Sequence, residues 1–157
     1  MKLYKLTDAD GYTYNRQHWE IGQTVSVDAK ISRDPPKLCT SRVLHAYTSP
    51  LLAALMNPAH GDYKNPRAYT VSGDVVVSDG TKVGCLTLTV TGTFELPTLT
   101  ASQRVAFGVL TALAVYSEES FHVWGKNWLS GADRSAAAAN ANAAAIDFEA
   151  LAQEALK

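Results

Sequence analysis

A chain of 157 residues that is 46% hydrophobic and 18% charged has the size and composition of one ordinary globular domain, able to bury about 68–70% of its unfolded surface. Fourteen Lys/Arg against fifteen Asp/Glu leave a formal net charge of −1, which argues against a nucleic-acid binder with a basic face and equally against an acidic DNA mimic. No apolar run approaches the roughly 20 residues of a membrane span, and "MKLYKLTDADGY" lacks a signal h-region, so a cytoplasmic location without membrane association is expected.

"KLYKLT" (2–7) alternates, with Leu3 and Lys5 on one side and Tyr4 and Leu6 on the other, and reads as a strand with one clearly apolar face. "DADGY" is a turn, and "QTVSVDA" (23–29) is a second alternating strand with Val25 and Val27 inward. Pro35 and Pro36 make "RDPPK" a loop, because proline cannot donate to a ladder. "VLHAY" (43–47) is a short strand. Ser49 then caps a helix with Pro50 at its first position, running over 49–56 and stopping before Pro58.

Turn formers fill "NPAHGDYKNP" (57–66), the one long irregular stretch. Residues 67–96 are the β-rich heart, where "SDGT" predicts a two-residue type I′ hairpin at Asp79-Gly80. On the return strand Leu86, Leu88 and Val90 share one face and Thr87, Thr89 and Thr91 the other, as in an antiparallel sheet wet on one side.

After Pro97 the pattern changes to helix. Thr100 and Gln103 fit a capping box, and Val105, Ala106, Val109, Leu110, Leu113 and Tyr116 form one apolar stripe. A helix over about 118–129 gathers Phe121, Trp124, Trp128 and Leu129 and ends at Gly131. "DRSAAAANANAAA" (133–145) favours helix but buries little per methyl, so it acts as a close-packing spacer or a partner contact. Asp147 caps a last amphipathic helix with Phe148, Leu151, Ala152, Ala155 and Leu156 on one stripe.

The fold expected is α+β, in one domain spanning 1–157: an antiparallel β-sheet from the β-rich part (1–97, with its one short helix) packed against the C-terminal helical half (98–157). Residues 1–70 carry nine Lys/Arg against six Asp/Glu, and 71–157 five against nine, a mild asymmetry of a solvated surface.

Catalytic signatures are missing. Cys39, His45, His60, Cys85 and His122 lack the paired spacings of zinc ligands, so no metal is expected. Neither GxxxxGK[ST] nor GxGxxG occurs, nor a G-x-S-x-G elbow, and no cofactor is expected. The two cysteines, without CxxC spacing, are expected as free thiols outside any reactive cluster. What remains is a set of polar aromatics near loops, from Tyr12, Tyr14 and His18 to Trp19, His45, Tyr47, His60, Tyr63 and Arg67. The last six are the partner-binding candidates, since Tyr, Trp and Arg make good anchors. The competing explanation is that such rings sit half-buried with one polar tip wet; His45, alternating with Leu44, would then be hydrogen-bonded and inert.

The ordered stretches "YKLTDADGYT", "VLHAYTSPLLAALMNPAH", "QRVAFGVL", "WLSGADRSAAAA" and "IDFEALAQEAL" resemble a group of uncharacterised phage and prophage proteins with a β-rich first half and an alanine-rich helical tail. The likeness covers nearly the whole chain, although the alanine run is short here. It implies a phage accessory protein acting inside a bacterial cell, which binds and inhibits a host protein, for example a component of a defence system. A fainter likeness is to ADP-ribosyltransferase-like folds, in which Tyr4, His45, Tyr47 and Glu95 would surround NAD; the Glu-x-Glu or Gln-x-Glu pair is missing. A third expectation is a structural phage protein that forms a homodimer along the alanine helix.

Overall fold

The computed structural model describes residues 1–28 and 35–139, which fall into two compact units, Met1–Leu99 and a second beginning at Thr100. The architecture is α+β, with antiparallel sheets in the N-terminal part and helices mainly C-terminal.

The first unit is built from β1 (Lys2–Thr7), β2 (Tyr12–Thr13), β3 (Gln17–His18), β4 (Thr24–Ser26), β5 (Leu44–Ala46), α1 (Pro50–His60), β6 (Arg67–Ser72), β7 (Val75–Ser78), β8 (Val83–Cys85) and β9 (Thr87–Thr93). Strands β1-β6-β9-β4 form one antiparallel sheet, β5-β8-β7 a second, and β2-β3 a small ribbon. The alternation is realised over 87–90, with Leu88 and Val90 buried, Thr87 exposed and Thr89 half-buried, while Leu86 is half-buried in the bend between β8 and β9.

β1 departs from the one-faced strand. Leu3 belongs to a core with Trp19, Val71, Cys85, Leu88 and Val90, while Leu6 packs with Tyr47, Ala53 and the half-buried Tyr4 on the opposite side. Both faces are covered because α1 lies over the second. Lys5, on the Leu3 side, is therefore buried at 6% exposure.

β1 and β5 are edge strands of their sheets, and they meet at one bridge. The Tyr4 N–H donates to Tyr47 O at 2.9 Å, and the Tyr47 N–H to Tyr4 O at 2.7 Å. In a continued antiparallel ladder, the next carbonyl on β5, that of His45, would accept from the Leu6 N–H. Instead Lys5 Nζ donates to it at 2.8 Å, so a side chain occupies the ladder position where the two edges diverge.

Helix α1 begins as expected, with Ser49 Oγ accepting from the Leu52 N–H at 3.1 Å and Pro50 in the first turn. It does not stop before Pro58; it runs on to His60. Proline so near the C-terminus removes only one intrahelical donor, and the end is held by Asn57. Asn57 O accepts from the N–H groups of Gly61 and Asp62 at 2.9 and 2.6 Å. Residues 57–60 thus leave the irregular stretch, which shortens to 61–66.

The 79–82 turn also differs. Ser78 pairs with Val83, so the loop has four residues rather than two, and of Asp79 and Gly80 only Gly80 has a positive φ, 85°. Asp79 Oδ1 accepts from Thr81 N–H (2.9 Å), Thr81 Oγ1 (2.7 Å) and Lys82 N–H (2.9 Å). These bonds favour the carboxylate, holding its pKa at about 2, and organise a wider loop than a type I′ turn.

The second unit contains α2 (Ala101–Leu113) and α3 (Glu119–Ser130). The capping box is formed, with Thr100 Oγ1 accepting from Gln103 N–H at 3.2 Å and Gln103 Oε1 from Thr100 N–H at 2.8 Å. Gly131 ends α3 at φ 82°. Along the expected stripe Val109 is buried, Ala106 and Leu113 are half-buried, and Val105, Leu110 and Tyr116 are exposed. The alanine run is helical at 136–139; its remainder and the final helix expected at 147–156 lie outside the described residues.

Candidate functional site

Four of the six candidate residues, His45, Tyr47, His60 and Tyr63, converge on one cleft of about 440 Å³, within the first unit. β5 supplies His45, the chain just after it Tyr47, the last turn of α1 His60, and the loop behind that helix Tyr63. Tyr63 is fixed by Asn57, whose Oδ1 accepts from the Tyr63 N–H at 3.1 Å and whose Nδ2 donates to Tyr63 O at 3.0 Å. Gly61 leaves room for the ring: a Cβ there would stand 2.5 Å from Tyr63 Cε2.

Tyr47 Oη lies 3.2 Å from His60 Nδ1, and the two rings stack at 5.9 Å with 14° between planes. Burial, reinforced by the neighbouring Tyr63 phenol, pushes the Tyr47 hydroxyl up to about 12. Burial also raises Tyr63 and lowers His60, the latter helped by Lys82. His45 is brought down to about 4, first by burial and then by the positive charges of Lys5 and Lys82. Its Nε2 accepts from the Cys39 N–H at 3.0 Å, which requires a neutral imidazole carrying its proton on Nδ1. His45 is therefore hydrogen-bonded, and as a neutral ring it is poorly suited to donating a proton at neutral pH.

The other two candidates lie elsewhere. Trp19 and Arg67 line a separate, shallower depression with His18, Glu20, Ile21 and Phe94. Trp19 is only 1% exposed, its Nε1 donates to Thr13 Oγ1 at 3.0 Å, and its ring belongs to the core. It is no anchor for a partner: the ring's area is already spent on the protein's own interior. Arg67 remains exposed.

The residues that composition and spacing did not single out are cationic and sulfur groups. Lys5 and Lys82 both line the cleft, with Cys39 and the exposed Tyr14. Lys5 Nζ stands 4.2 Å from the centroid of the Trp19 ring, and burial lowers its pKa to about 7. Lys82 Nζ lies 3.1 Å from Cys39 Sγ, so Cys39, expected outside any cluster, has charged company, while Cys85 is a buried free thiol. The one legible signal was Lys5 itself, a lone charge sharing a strand face with Leu3. Cys39 and Lys82 come together across 43 positions, which no local pattern reveals.

Among the described residues, no Asp or Glu lines the cleft. Glu95, the carboxylate that a glycosyl-transfer reading needs beside His45 and Tyr47, is exposed and does not line it. Among the described residues no group of three His, Cys, Asp or Glu side chains forms a set able to hold a metal ion, and no helix is long and apolar enough to cross a membrane. What the arrangement offers chemically is a donor-rich, aromatic pocket with two amines and two neutral imidazoles.

No protein-family model, no curated protein and no solved structure matches the chain.

Proposed function

We propose that the protein is a recognition protein, a phage-encoded accessory factor that binds and inhibits a bacterial host protein through the cleft of residues 1–99. The observation that carries this reading is the convergence of His45, Tyr47, His60 and Tyr63 on one open cleft of about 440 Å³. Aromatic side chains with polar tips are the commonest energetic anchors of interfaces, because they give large contact area for few rotatable bonds. The described lining residues include no carboxylate, which gives acid–base hydrolysis and glycosyl transfer little to work with and favours recognition.

The test is site-specific photo-crosslinking in bacterial cells. A photoreactive phenylalanine analogue replaces Tyr63 in the cleft or, as a control, the exposed Val76 on β7. One discrete heteromeric adduct from position 63, absent from 76 and suppressed by excess unlabelled protein but not by its His60→Ala variant, is the expected result. Adducts only with random abundant proteins, or equally from both positions, overturn the reading.

A further inference from the structure

We propose that Lys5 is the reactive amine of the cleft, condensing with a small carbonyl compound that carries an anionic group to form an imine. This goes beyond protein recognition and stands independently of it, because it rests on one side chain and its surroundings.

The geometry suits a neutral amine. Among the described residues the hydrogen-bond partner of Nζ is a backbone carbonyl, His45 O at 2.8 Å, and no carboxylate contributes to its electrostatic environment. That bond uses one N–H, so an uncharged amine is oriented by it as an ammonium would be, with its lone pair left over. The amine nitrogen itself is held between the His45 carbonyl and the Trp19 ring, whose centroid stands 4.2 Å from Nζ. Burial disfavours the ammonium by more than the neighbouring Cys85 thiol, which pulls the other way, favours it, and the pKa of about 7 follows. At neutral pH about half of Lys5 is free amine, against roughly one in a thousand or fewer for an ordinary lysine.

The rest of the lining selects the ligand. Lys82 and Ser41, with the tyrosine hydroxyls and His60, offer donors, and the described lining residues include no Asp or Glu, which suits a carboxylate or phosphate. Among the described residues two acids act on the lining from outside it, Asp79 on His45 and His60 and Asp8 on Tyr63. A cavity of about 440 Å³ is at the small-molecule end of the usual pocket range. An α-keto or α-formyl carboxylate, with its carbonyl toward Lys5 and its charge toward Lys82, is the class that fits.

The step balances without an oxidant or reductant. The Nζ lone pair forms a bond to the carbonyl carbon, the C=O π pair moves to oxygen and takes up a proton, and nitrogen releases one to give a carbinolamine. The hydroxyl then takes up a proton and leaves as water while the nitrogen pair forms C=N, and release of the remaining N–H proton gives the neutral imine.

The experiment uses the full chain with glyoxylate and cyanoborohydride at pH 7, reading carboxymethylation by peptide mass mapping. Of the eight lysines, Lys5 should be modified first, by at least about tenfold over the others, with the advantage shrinking toward pH 10.5 as ordinary lysines lose their protons. Formaldehyde, which lacks the anion, should keep the Lys5 preference, and Lys82→Ala should slow glyoxylate severalfold while leaving formaldehyde unchanged. Lys5→Met should remove the fast phase with circular dichroism intact; if that variant unfolds, the wild-type map still decides. Lys5 modified no faster than the surface lysines, or only once the protein is denatured, overturns the proposal. Lys82→Ala acting equally on both aldehydes overturns its anionic part.

Discussion

The two units of the chain reach order by opposite routes. In residues 1–99 the core joins distant positions: Leu3 pairs with Val71, and Val71 with Val90. In the helices after Thr100 the contacts are between neighbours in sequence, and Val109 is the one buried large apolar side chain among the described residues there. The lesson is that chemistry gathers where the chain is forced to bring remote segments together. Every described residue lining the cleft comes from the first unit, and its lysine and imidazole owe their altered properties to burial that only long-range pairing creates.

The difference is tested most severely by Trp19→Ala. The ring is 1% exposed at the centre of the larger core and underlies Lys5, so truncation should cost about 3–5 kcal/mol. Urea denaturation with Tyr fluorescence or circular dichroism measures it. A cost below about 1 kcal/mol would mean that the first unit does not depend on this core.

Next in size is Lys5→Met. In the folded chain Lys5 titrates at about 7, against 10.5 unperturbed. Below pH 7 both states hold the proton and the burial penalty is present in full. Between 7 and 10.5 the unfolded chain keeps a proton that the folded one has released, so wild-type stability rises with pH. Lys5→Met should therefore stabilise by about 1–4 kcal/mol below pH 7, with the gain shrinking by pH 10. A separate decline should appear as pH falls from 6.5 toward 4, and it should be smaller in Lys5→Met, because the Lys5 charge is one of the causes that lower His45. There the unfolded chain protonates its equivalent of His45 while the folded ring, at about 4, resists. Denaturation midpoints at pH 4.5, 6, 8 and 10 check both limbs.

These two residues also mark how far the sequence could be read. The alternation over 87–90, the Ser49 cap and the Thr100–Gln103 box are local patterns, and each formed. The end of α1 lies further on than expected because the expectation rested on the clash proline imposes on the residue before it, without the Asn57 side chain that holds the following loop. In the cleft, the aromatic half was visible as a cluster of Tyr and His around 45–63. Its amines were not, because Lys5 meets His45 O across 40 positions and only by virtue of two sheet edges diverging after one bridge. Trp19 failed as an anchor for the same reason: residue type suggests a surface role, but burial is decided by what the rest of the chain places over it.

A smaller effect is expected from Tyr47→Phe, which keeps the stacked ring and removes the 3.2 Å bond to His60 Nδ1. The loss should be about 1 kcal/mol. Freed of the phenol, the His60 imidazole should also shift its NMR titration midpoint, whereas the ring resonances of His122 in α3 should stay in place. Equal shifts at both histidines would show that the change is global.

The smallest effect belongs to the helical unit. Thr100→Ala removes the oxygen that accepts from the Gln103 N–H at 3.2 Å, yet leaves the Gln103 Oε1 bond to the residue-100 N–H available. Both groups are exposed, so water takes up the freed donor, and the loss should be about 0.5–1 kcal/mol. Thr100→Asp, which restores an acceptor and places negative charge at the positive end of the helix dipole, should recover most of it. Circular dichroism at 222 nm through thermal melts ranks the three proteins. If Thr100→Ala instead cost as much as Trp19→Ala, order after residue 100 would hang on a single exposed cap as heavily as the first unit hangs on its core, and the distinction between local and long-range stabilisation would fail.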